Sequence, residues 1–295
     1  MIVDLSVVIV TYNSAAFLPR CLESLSRATR RVKFEVIVVD NHSQDDTAAV
    51  LDGYADVQTL VNDENLGFAR AANRGFRQAK GRHYLLLNPD TEVHDGALDR
   101  CVSFLDSNPE VGIVGARVNN PDGTLQRACR RSIPTPKIAF FRLSGLGKIW
   151  RSHPAASAYN LEDADPDETL DVEAVSGSFL MVRREATGHV GGLDERYFLY
   201  GEDLDFCLSI SRLGYRIVYY PEAVVTHHKG ASSRQARRAS NREFHLAMKL
   251  FHNKHFAAKT PGWLNSLILG GIAARGTVID IALLTGLQSH VGSKG

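Results

Sequence analysis

Polar residues follow three apolar runs of the sequence at the point where each run ends. The runs VVIV, VIVV and YLLL are followed by residues 11–13, 40–43 and 88–91. If the runs are neighbouring parallel strands, Asn13, Asp40 and Asp90 lie along one carboxyl edge, where open α/β sheets bind ligands. Asn, Asp and Ser also form turns and cap helices, so one such strand alone would indicate little. Three in succession favour a ligand site.

Asp90 and the tandem histidines His227 and His228 are candidate ligands for a divalent cation. An Asp with one or two His residues can hold such a cation over a diphosphate. Asn88, two residues before Asp90, is a poorer ligand than a carboxylate would be. A pair of surface histidines often binds no metal, so both interpretations stay open on the residues alone.

Three acids, Glu202, Asp203 and Asp205, follow the aromatic run YFLYG. Acids are favoured in the first turn of a helix by its dipole, so they are consistent with helix capping. A carboxylate flanked by aromatic rings and other carboxylates also has a raised pKa, which suits a general base. The residue pattern permits both roles.

The first 120 residues alternate strand and helix patterns. Apolar runs typical of buried parallel strands cover Leu5–Val10, Phe34–Val39, Val57–Val61 and Tyr84–Leu87. Helical spacing of apolar residues covers 15–28, Gln44–Tyr54, Gly67–Lys80 and 96–107. This alternation predicts an α/β fold with a mostly parallel central sheet and helices on both faces.

The alternation is lost between residues 121 and 170. Residues 125–160 contain seven Lys or Arg and no acid, whereas residues 162–173 contain seven Asp or Glu and no base. These stretches are interpreted either as solvated loops that pair with each other or as part of an acceptor site. Strand patterns return at Val172–Arg183 and Tyr215–Tyr219, on either side of a helix that starts near Glu202.

The composition changes again beyond Gly230. Eight Lys or Arg and one acid lie between Lys229 and Lys259, and an apolar stretch around residues 264–287 follows. Both features suit a surface that meets anionic lipid, and both equally suit helices packed on the domain or on a second subunit. Residues 236–295 are therefore predicted to be a C-terminal helical extension, either membrane-associated or oligomerising.

Composition and charge exclude several classes of protein. The chain has 295 residues, 44% hydrophobic and 23% charged, which excludes disordered and fibrous classes. A net charge of +1 gives no case for nucleic-acid binding. Four dispersed cysteines are expected to be reduced, buried thiols of a cytoplasmic protein. The sequence contains neither a dinucleotide-binding or P-loop glycine motif nor the hydrolase elbow G-x-S-x-G.

The sequence predicts neither a signal peptide nor a membrane span. The first 13 residues lack a basic region and carry Asp4 inside the apolar stretch. The C-terminal apolar stretch is interrupted by Arg275 and Asp280. An interfacial helix in this region remains open.

Seven motifs taken together resemble glycosyltransferase family 2, whose fold is called GT-A. They are VVIVTYN, VVDNHS, ENLGFARAANRG, LLLNPDTE, SGSFLMVRRE, GGLDERYFLYGEDLDFCL and HHKGASS, in the family's order across residues 4–235. Each motif is weak by itself, whereas seven in order are highly specific. NPD, YGED-x-D and H-x-x-G-x-S-S point to a branch that looks like bacterial rhamnosyltransferases of cell-wall and O-antigen polysaccharides. The resemblance implies a GT-A domain over 1–235, with a nucleotide-binding half (1–120) and an acceptor half (121–235).

The resemblance implies a nucleotide-sugar site in the first half of this domain. Asp40 would accept a hydrogen bond from the pyrimidine N–H, and Arg70 would contact the diphosphate. The loop at residues 65–68 would close on the nucleotide. The implied nucleotide-binding residues are Thr11, Tyr12, Asn13, Asp40, Asn65, Gly67, Phe68, Arg70 and Asn88.

The resemblance also implies a divalent metal site for Mg²⁺ or Mn²⁺. Asp90 matches the last Asp of the family's D-x-D motif, and Asn88 stands where many relatives carry Asp. His227 matches the C-terminal metal ligand because it lies three residues before Gly230, and His228 is the alternative.

The catalytic and acceptor residues are implied in the second half. Asp203 matches the family's catalytic base, and Glu202 would orient the acceptor. Gly177 and Ser178 resemble the floor of the acceptor side.

The implied function is that of an inverting glycosyltransferase. The leading donor is dTDP-rhamnose, and a UDP-hexose is the alternative, because Asp40 would read thymine and uracil equally well. The acceptor would be a glycan or a polyprenyl-diphosphate-linked saccharide. The protein would be cytoplasmic, either free or peripheral on the cytoplasmic face of the inner membrane, and either a monomer or a homodimer. A non-catalytic glycan-binding or nucleotide-sugar-binding module is the third class, and it would require Asp90, Asp203 or His227 to be missing.

Overall fold

The structure is a computed structural model that describes residues 3–143, 158–228 and 237–284. Its strands are β1 (Leu5–Thr11), β2 (Phe34–Asp40), β3 (Val57–Val61), β4 (His83–Leu87), β5 (Thr91–Val93), β6 (Val111–Asn119), β7 (Arg130–Arg131), β8 (Leu170–Asp171), β9 (Ala174–Val175), β10 (Phe179–Arg183) and β11 (Arg216–His227). Its α-helices are α1 (Leu18–Arg27), α2 (Thr47–Asp52), α3 (Phe68–Gln78), α4 (Ala97–Ser107), α5 (Pro136–Leu143), α6 (Arg184–Val190), α7 (Glu202–Ser211), α8 (Arg237–His255) and α9 (Gly262–Leu284).

Within the described ranges, nine strands form one central sheet in the order β3-β2-β1-β4-β10-β6-β11-β5, with β8 paired to β11. Strands β3, β2, β1 and β4 are parallel, as are β6 and β11. Strand β10 runs antiparallel between β4 and β6, and β5 runs antiparallel to β11. The α/β class and the parallel first half are confirmed.

The core lies where the helices pack on the sheet. Strands β1 and β4 are buried along their whole length, which explains their continuous apolar sequences. Helix α3 approaches β1 closely because Gly75 lacks a side chain: a Cβ there would lie 2.4 Å from Val8 Cγ1. The four cysteines are free and buried, as expected.

Two strand predictions differ from the structure. The predicted strand Val172–Arg183 is wrong, because the chain leaves β9 of a small β7–β9 sheet and enters β10 of the central sheet. The 176–178 turn (Ser176, Gly177 and Ser178) makes this change, with Phe179 N–H donating to Ser176 O at 3.2 Å. The strand predicted at Tyr215–Tyr219 continues to His227 through an irregular register between Tyr220 and Val224. Strand β6 was not predicted at all.

The C-terminal segment folds into two helices that pack against each other. Helix α8 contributes Ala247 and Phe251 to the main core, so it packs on the α/β unit. In the described part of the chain, α9 is the one helix long and apolar enough to cross a membrane by length and composition, with a mean hydropathy of 1.8. A single helix of this kind is weak support for a span. The start of the predicted basic segment, residues 229–236, and the end of the apolar stretch, residues 285–287, lie outside the described residues.

Candidate active site

Asp90 and His227 lie side by side where β11 ends and β5 begins. His227 pairs with Thr91 across these antiparallel strands. The Nε2 atom of His227 lies 3.0 Å from Asp90 Oδ1, and both residues are buried. His228 contacts Asp90 through its backbone N–H instead, at 2.9 Å from the Asp90 carbonyl oxygen. The structure brings together the predicted pair, with His227 rather than His228 beside the carboxylate.

Gln126 fixes the imidazole of His227. Its Oε1 lies 3.0 Å from His227 Nδ1, and its Nε2 donates to the His227 carbonyl oxygen at 2.8 Å. A hydrogen bond from Nδ1–H to Oε1 leaves Nε2 with a free lone pair, which is the form that binds a metal ion.

The spacing of the pair fits two adjacent ligands of a divalent cation. Two adjacent ligands of an octahedral ion with bonds of about 2.1 Å would lie about 3 Å apart. Among the described residues, no three His, Cys, Asp or Glu side chains converge on a metal site. Asn88 adds an amide, with Nδ2 3.3 Å from His227 Nε2. Diphosphate oxygens and water would fill the other positions, as is common for Mg²⁺.

The predicted nucleotide edge forms where β1 and β2 end in register. Thr11 is paired with Asp40, which is buried. Asp40 Oδ1 accepts hydrogen bonds from the Ser43 hydroxyl and N–H at 2.5 and 3.1 Å. Asn13 has a left-handed backbone with φ of 51°, and its Oδ1 accepts from Gln44 N–H at 2.6 Å. These contacts hold Asp40 and Asn13 on one rigid corner.

The loop at residues 65–68 is built around Asn41. Asn41 Nδ2 donates to Asn65 Oδ1 at 2.8 Å, and Gly67 N–H donates to the same oxygen at 3.0 Å. Gly67 adopts a φ of 81°, and a Cβ there would lie 2.7 Å from the side chain and carbonyl of Phe198. Phe68 N–H donates to the Phe198 carbonyl at 2.7 Å. The loop therefore touches the segment that leads into the acidic helix α7.

Tyr12 and Arg70 lie at the surface. Tyr12 is 42% exposed. The Arg70 side chain is more than half exposed, and its Nε lies 3.8 Å from the Glu195 carboxylate. The assignment of Tyr12 to the nucleotide pocket and of Arg70 to the diphosphate remains a prediction.

Asp203 is bound by two donors from other parts of the chain. Its Oδ2 accepts from Arg131 Nη2 at 2.5 Å and from Gly177 N–H at 3.1 Å. Burial opposes the charge of Arg131, but the carboxylate of Asp203 together with nearby groups such as Tyr159 outweighs burial, so the pKa of Arg131 is raised. Arg131 also donates to the Val175 carbonyl at 2.9 Å, so its guanidinium is fixed relative to the 176–178 turn.

Glu202 is buried beside Asp203 without a partner for its Oε2 in the described part of the chain. Burial, and after it the charge of Asp203, raises the pKa of Glu202 to about 8. The raised pKa that the sequence predicts for this acidic cluster is thus found at Glu202. At neutral pH this residue is mostly a neutral acid that can donate a hydrogen bond.

The 176–178 turn lies between the two halves of the site. Gly177 N–H binds Asp203, while the Ser178 carbonyl accepts from Asn88 N–H at 3.2 Å and from the Thr91 hydroxyl at 3.4 Å. The Ser178 hydroxyl donates to Ser176 Oγ at 2.9 Å and closes the turn. One short turn therefore connects the Asp90–His227 pair to Asp203.

Three residues of this site were not found from the sequence: Asn41, Gln126 and Arg131. Asn41 lies among the polar residues that follow the second apolar run, but that position alone predicts no role for it. The other two lie in the irregular stretch, which in part does pair with the acidic loop, as Arg127 does with Glu162 at 2.9 Å. The excess of Arg there was a signal that one of them could bind a buried carboxylate.

Comparison with known proteins decides the family. The model of the family described as glycosyl transferase family 2 matches residues 6–190, more than half of the chain. The chain belongs to this family. A second model, glycosyl transferase family group 2, matches residues 166–272 of this family 2 enzyme. The predicted family and the predicted enzyme class, a glycosyltransferase, are confirmed.

Relatives of known function and structure agree with this family. An N-acetylglucosaminyl-diphospho-decaprenol L-rhamnosyltransferase of Mycobacterium tuberculosis is 36% identical over 241 residues, covering 78% of this chain and 77% of the relative. A mannosyltransferase from Pyrobaculum calidifontis, solved with GDP-Man and Mn²⁺, superposes with a TM-score of 0.58 at 19% identity, covering 96% of this chain and 79% of its own. TarS of S. aureus, solved with UDP-GlcNAc, also superposes with a TM-score of 0.58, at 18% identity. This match covers 98% of this chain and 76% of the TarS chain. The GT-A fold of this family 2 enzyme is confirmed.

Proposed function

We propose that this enzyme transfers L-rhamnose from dTDP-rhamnose to a hydroxyl of a polyprenyl-diphosphate-linked saccharide, with inversion at the anomeric carbon. Asp203 accepts the proton of the acceptor hydroxyl as the new bond to the anomeric carbon forms. The bond from that carbon to the diphosphate oxygen breaks in the same displacement. The nucleoside diphosphate leaves with the bonding electron pair, so no covalent intermediate forms.

The observation that carries the proposal is the connection through the 176–178 turn. A leaving diphosphate beside Asp90 and His227 and an attacking hydroxyl beside Asp203 would lie on the two sides of this turn. An in-line displacement needs this arrangement, since the nucleophile must approach the anomeric carbon from the side opposite to the departing diphosphate.

Asp90 and His227 would hold the divalent cation, with Gln126 fixing the His227 ring. When bound, the cation offsets the negative charge that develops on the leaving diphosphate. Arg131 and Gly177 orient the Asp203 carboxylate, and protonated Glu202 can donate a hydrogen bond to an acceptor oxygen. Tyr12 and Asp40 would bind the base, and the loop at 65–68 would cover the nucleotide.

The choice of donor and acceptor rests on the mycobacterial relative. Its name gives L-rhamnose as the transferred sugar and a decaprenyl-diphosphate-linked N-acetylglucosamine as the acceptor. Identity of 36% over most of both chains supports the same classes of substrate here. A lipid-linked acceptor also suits a protein that is peripheral on the cytoplasmic face of a membrane.

The outer face of α9 supports such a peripheral contact. Trp263, Leu267, Val278 and Ile281 are each more than half exposed, and their spacing places them on one side of the helix. The two charges inside α9 contact α8 instead: Arg275 Nη1 lies 2.9 Å from His245 Nε2, and Asp280 pairs with Arg238 at 3.0 Å. An uncharged stripe therefore faces outward, as in helices that lie in a membrane interface.

A transfer assay with defined substrates tests the proposal. The purified protein is incubated with polyprenyl-diphosphate-linked N-acetylglucosamine, Mn²⁺ or Mg²⁺, and either dTDP-rhamnose or a UDP-hexose. We expect transfer from dTDP-rhamnose and inverted configuration in the product by NMR. Transfer from the UDP-hexose alone would retain the mechanism and overturn the donor, and the absence of transfer from both would contradict the proposed function.

A further inference from the structure

We infer that helix α8, although it lies beyond the predicted domain boundary at residue 235, positions the catalytic helix α7 through Asp205. This inference rests on the proposed role of Asp203 as the base. Asp205 is the third acid of the YGED-x-D motif, and the proposed reaction gives it no role. Apart from a hydrogen bond from the Tyr197 hydroxyl at 3.4 Å, the contacts of its carboxylate lead to the C-terminal segment.

The Asp205 joint consists of Asp205, Lys254 and His255. Lys254 Nζ donates to Asp205 Oδ2 at 2.8 Å, and His255 Nε2 lies 2.7 Å from Asp205 Oδ1. The Asp205 side chain is only 3% exposed, and that of His255 is fully buried. Two consecutive residues at the end of α8 thus bind both oxygens of one buried carboxylate on α7.

The joint is balanced in charge. Lys254 also pairs with Asp194 at 2.7 Å, and Asp194 pairs with Arg196 at 2.6 Å. Two carboxylates are therefore matched by two cations, while burial lowers the pKa of His255 and keeps its ring neutral. Removing one partner from such a group leaves a buried charge unpaired, which strongly disfavours the original geometry.

Asp203 and Asp205 lie on different sides of α7. Residues two apart on a helix point about 200° away from each other, so Asp205 faces α8 while Asp203 faces Arg131 and Gly177. The first turn of α7 is thereby held between the 176–178 turn and the end of α8. A rotation of α7 that frees Asp205 would also move Asp203.

The segment that enters α7 is held by α8 as well. Tyr200 and Gly201 both have left-handed backbones, with φ of 71° and 82°. Gly201 packs against Ala247 of α8, since a Cβ at Gly201 would lie 3.4 Å from Ala247 Cβ. The Tyr200 ring packs edge-on against the Phe244 ring, with 6.0 Å between the ring centroids. Helix α8 therefore sets both the entry and the first turn of the catalytic helix.

Kinetics of Lys254 variants test this positioning role. Lys254→Met should lower kcat by at least about tenfold, because misplacement of a reacting group by about 1 Å can cost about 10²-fold. The KM for the donor and the Kd of dTDP with Mn²⁺ should stay unchanged, and Lys254→Arg should restore most of kcat. Lys249→Met, the same substitution five residues earlier on α8, is the matched control and should keep wild-type kcat. Circular dichroism establishes that each variant is folded, and His255→Gln serves as the second variant if Lys254→Met does not fold.

A double-mutant cycle separates positioning from general damage. If Lys254 acts through the base, Lys254→Met should have little further effect in the Asp203→Asn background, because residues that act as a unit are strongly non-additive. The positioning role would be overturned if the double variant loses kcat by the product of the two single losses, or if a folded Lys254→Met keeps wild-type kcat. Either result would leave the proposed function intact. Wild-type turnover by Asp203→Asn would overturn the proposed base and this inference with it.

Discussion

Gln126 holds His227 at two points, through the imidazole Nδ1 at 3.0 Å and through the backbone carbonyl at 2.8 Å. The two residues are 101 positions apart in the chain. The contact sets both the orientation of the ring and the nitrogen that carries the proton. The opposite nitrogen lies 3.0 Å from Asp90, so if this pair holds the cation as proposed, Gln126 orients one of its two protein ligands.

Gln126→Leu should therefore weaken cation binding. We expect the Kd for Mn²⁺ in the presence of dTDP to rise about 10- to 100-fold, as is typical when such a supporting residue is lost. Titration calorimetry measures this without any acceptor. Gln58→Leu, at an exposed position on β3, is the control and should bind Mn²⁺ like the wild type. Equal affinity in both variants would show that Gln126 does not support a metal ligand.

Asp203→Asn should separate catalysis from donor binding. The amide keeps the size of the side chain but cannot accept the acceptor proton, so kcat should fall about 10²- to 10⁴-fold. The Kd of dTDP with Mn²⁺ should remain near the wild-type value, because Asp203 contacts Arg131 and Gly177 rather than the nucleotide edge. Steady-state kinetics measures kcat, and calorimetry on the same preparations measures the Kd of dTDP. Asp122→Asn, at an exposed position, is the control. A near-normal kcat would show that another group takes the proton.

The fold was predictable where the signal is local. Continuous apolar runs predicted β1, β2 and β4, since strands buried along their length need apolar residues throughout. Strand β5 has three residues, and β11 continues past Pro221 through a register shift, so neither has a regular pattern over its full length. The sequence predicts one strand across the 176–178 turn because the segments on both sides of the turn are apolar.

The candidate site was predictable where a residue with a reactive or metal-binding side chain directly follows a predicted strand. Asp40 and Asp90 meet this condition, whereas His227 was predicted from the tandem histidines and the family resemblance, since the predicted strand ended at Tyr219. Gln126 and Arg131 do not, because their roles depend on partners 101 and 72 residues away. Their own neighbourhood has no period that would indicate which side chain faces inward. Tertiary contact, rather than sequence pattern, places them in the candidate site.

The raised pKa of Glu202 predicts a pH dependence of stability. Its pKa is raised from 4.5 to about 8 by burial and by the charge of Asp203. Between these values the folded protein binds more protons than the unfolded chain, so this residue lowers the free energy of unfolding as pH rises. Glu202→Gln removes the effect. The Tm of Glu202→Gln relative to wild type should therefore increase from pH 4.5 to 8 and level off above.

Thermal melts of both proteins across this range provide the measurement. Glu195→Gln, at a surface carboxylate, should show no such trend relative to wild type. A Tm difference for Glu202→Gln that stays constant with pH would contradict a protonated Glu202 in the folded protein.

Gly67→Ala should impair donor binding more than stability alone explains. The backbone at Gly67 has φ of 81° and ψ of 168°, a region that only glycine adopts readily, and an added Cβ would meet Phe198 at 2.7 Å. The loop at 65–68 must then move away from Phe198, and the Kd of dTDP with Mn²⁺ should rise. Gly123→Ala is the matched control, since Gly123 also has a left-handed φ of 83° but no atom within 4 Å of its Cβ position. Similar dTDP affinities for the two variants would argue against a nucleotide role for this loop.

Point variants of α9, rather than truncation, should reveal whether its outer face binds membranes. Removing the C-terminal segment would also remove Lys254 and His255, which hold α7, so a loss of activity on truncation would not be informative. Leu267→Glu with Val278→Glu places two charges on the exposed stripe and leaves the α8 contacts intact. We expect this variant to lose flotation with anionic liposomes, because charges in the interface oppose burial of the apolar face. Val61→Glu with Leu213→Glu, which charges exposed apolar residues elsewhere, should float like the wild type. If instead the α9 variant floats normally but turns a dimer into a monomer in light scattering, the stripe is an interface between two copies of the chain.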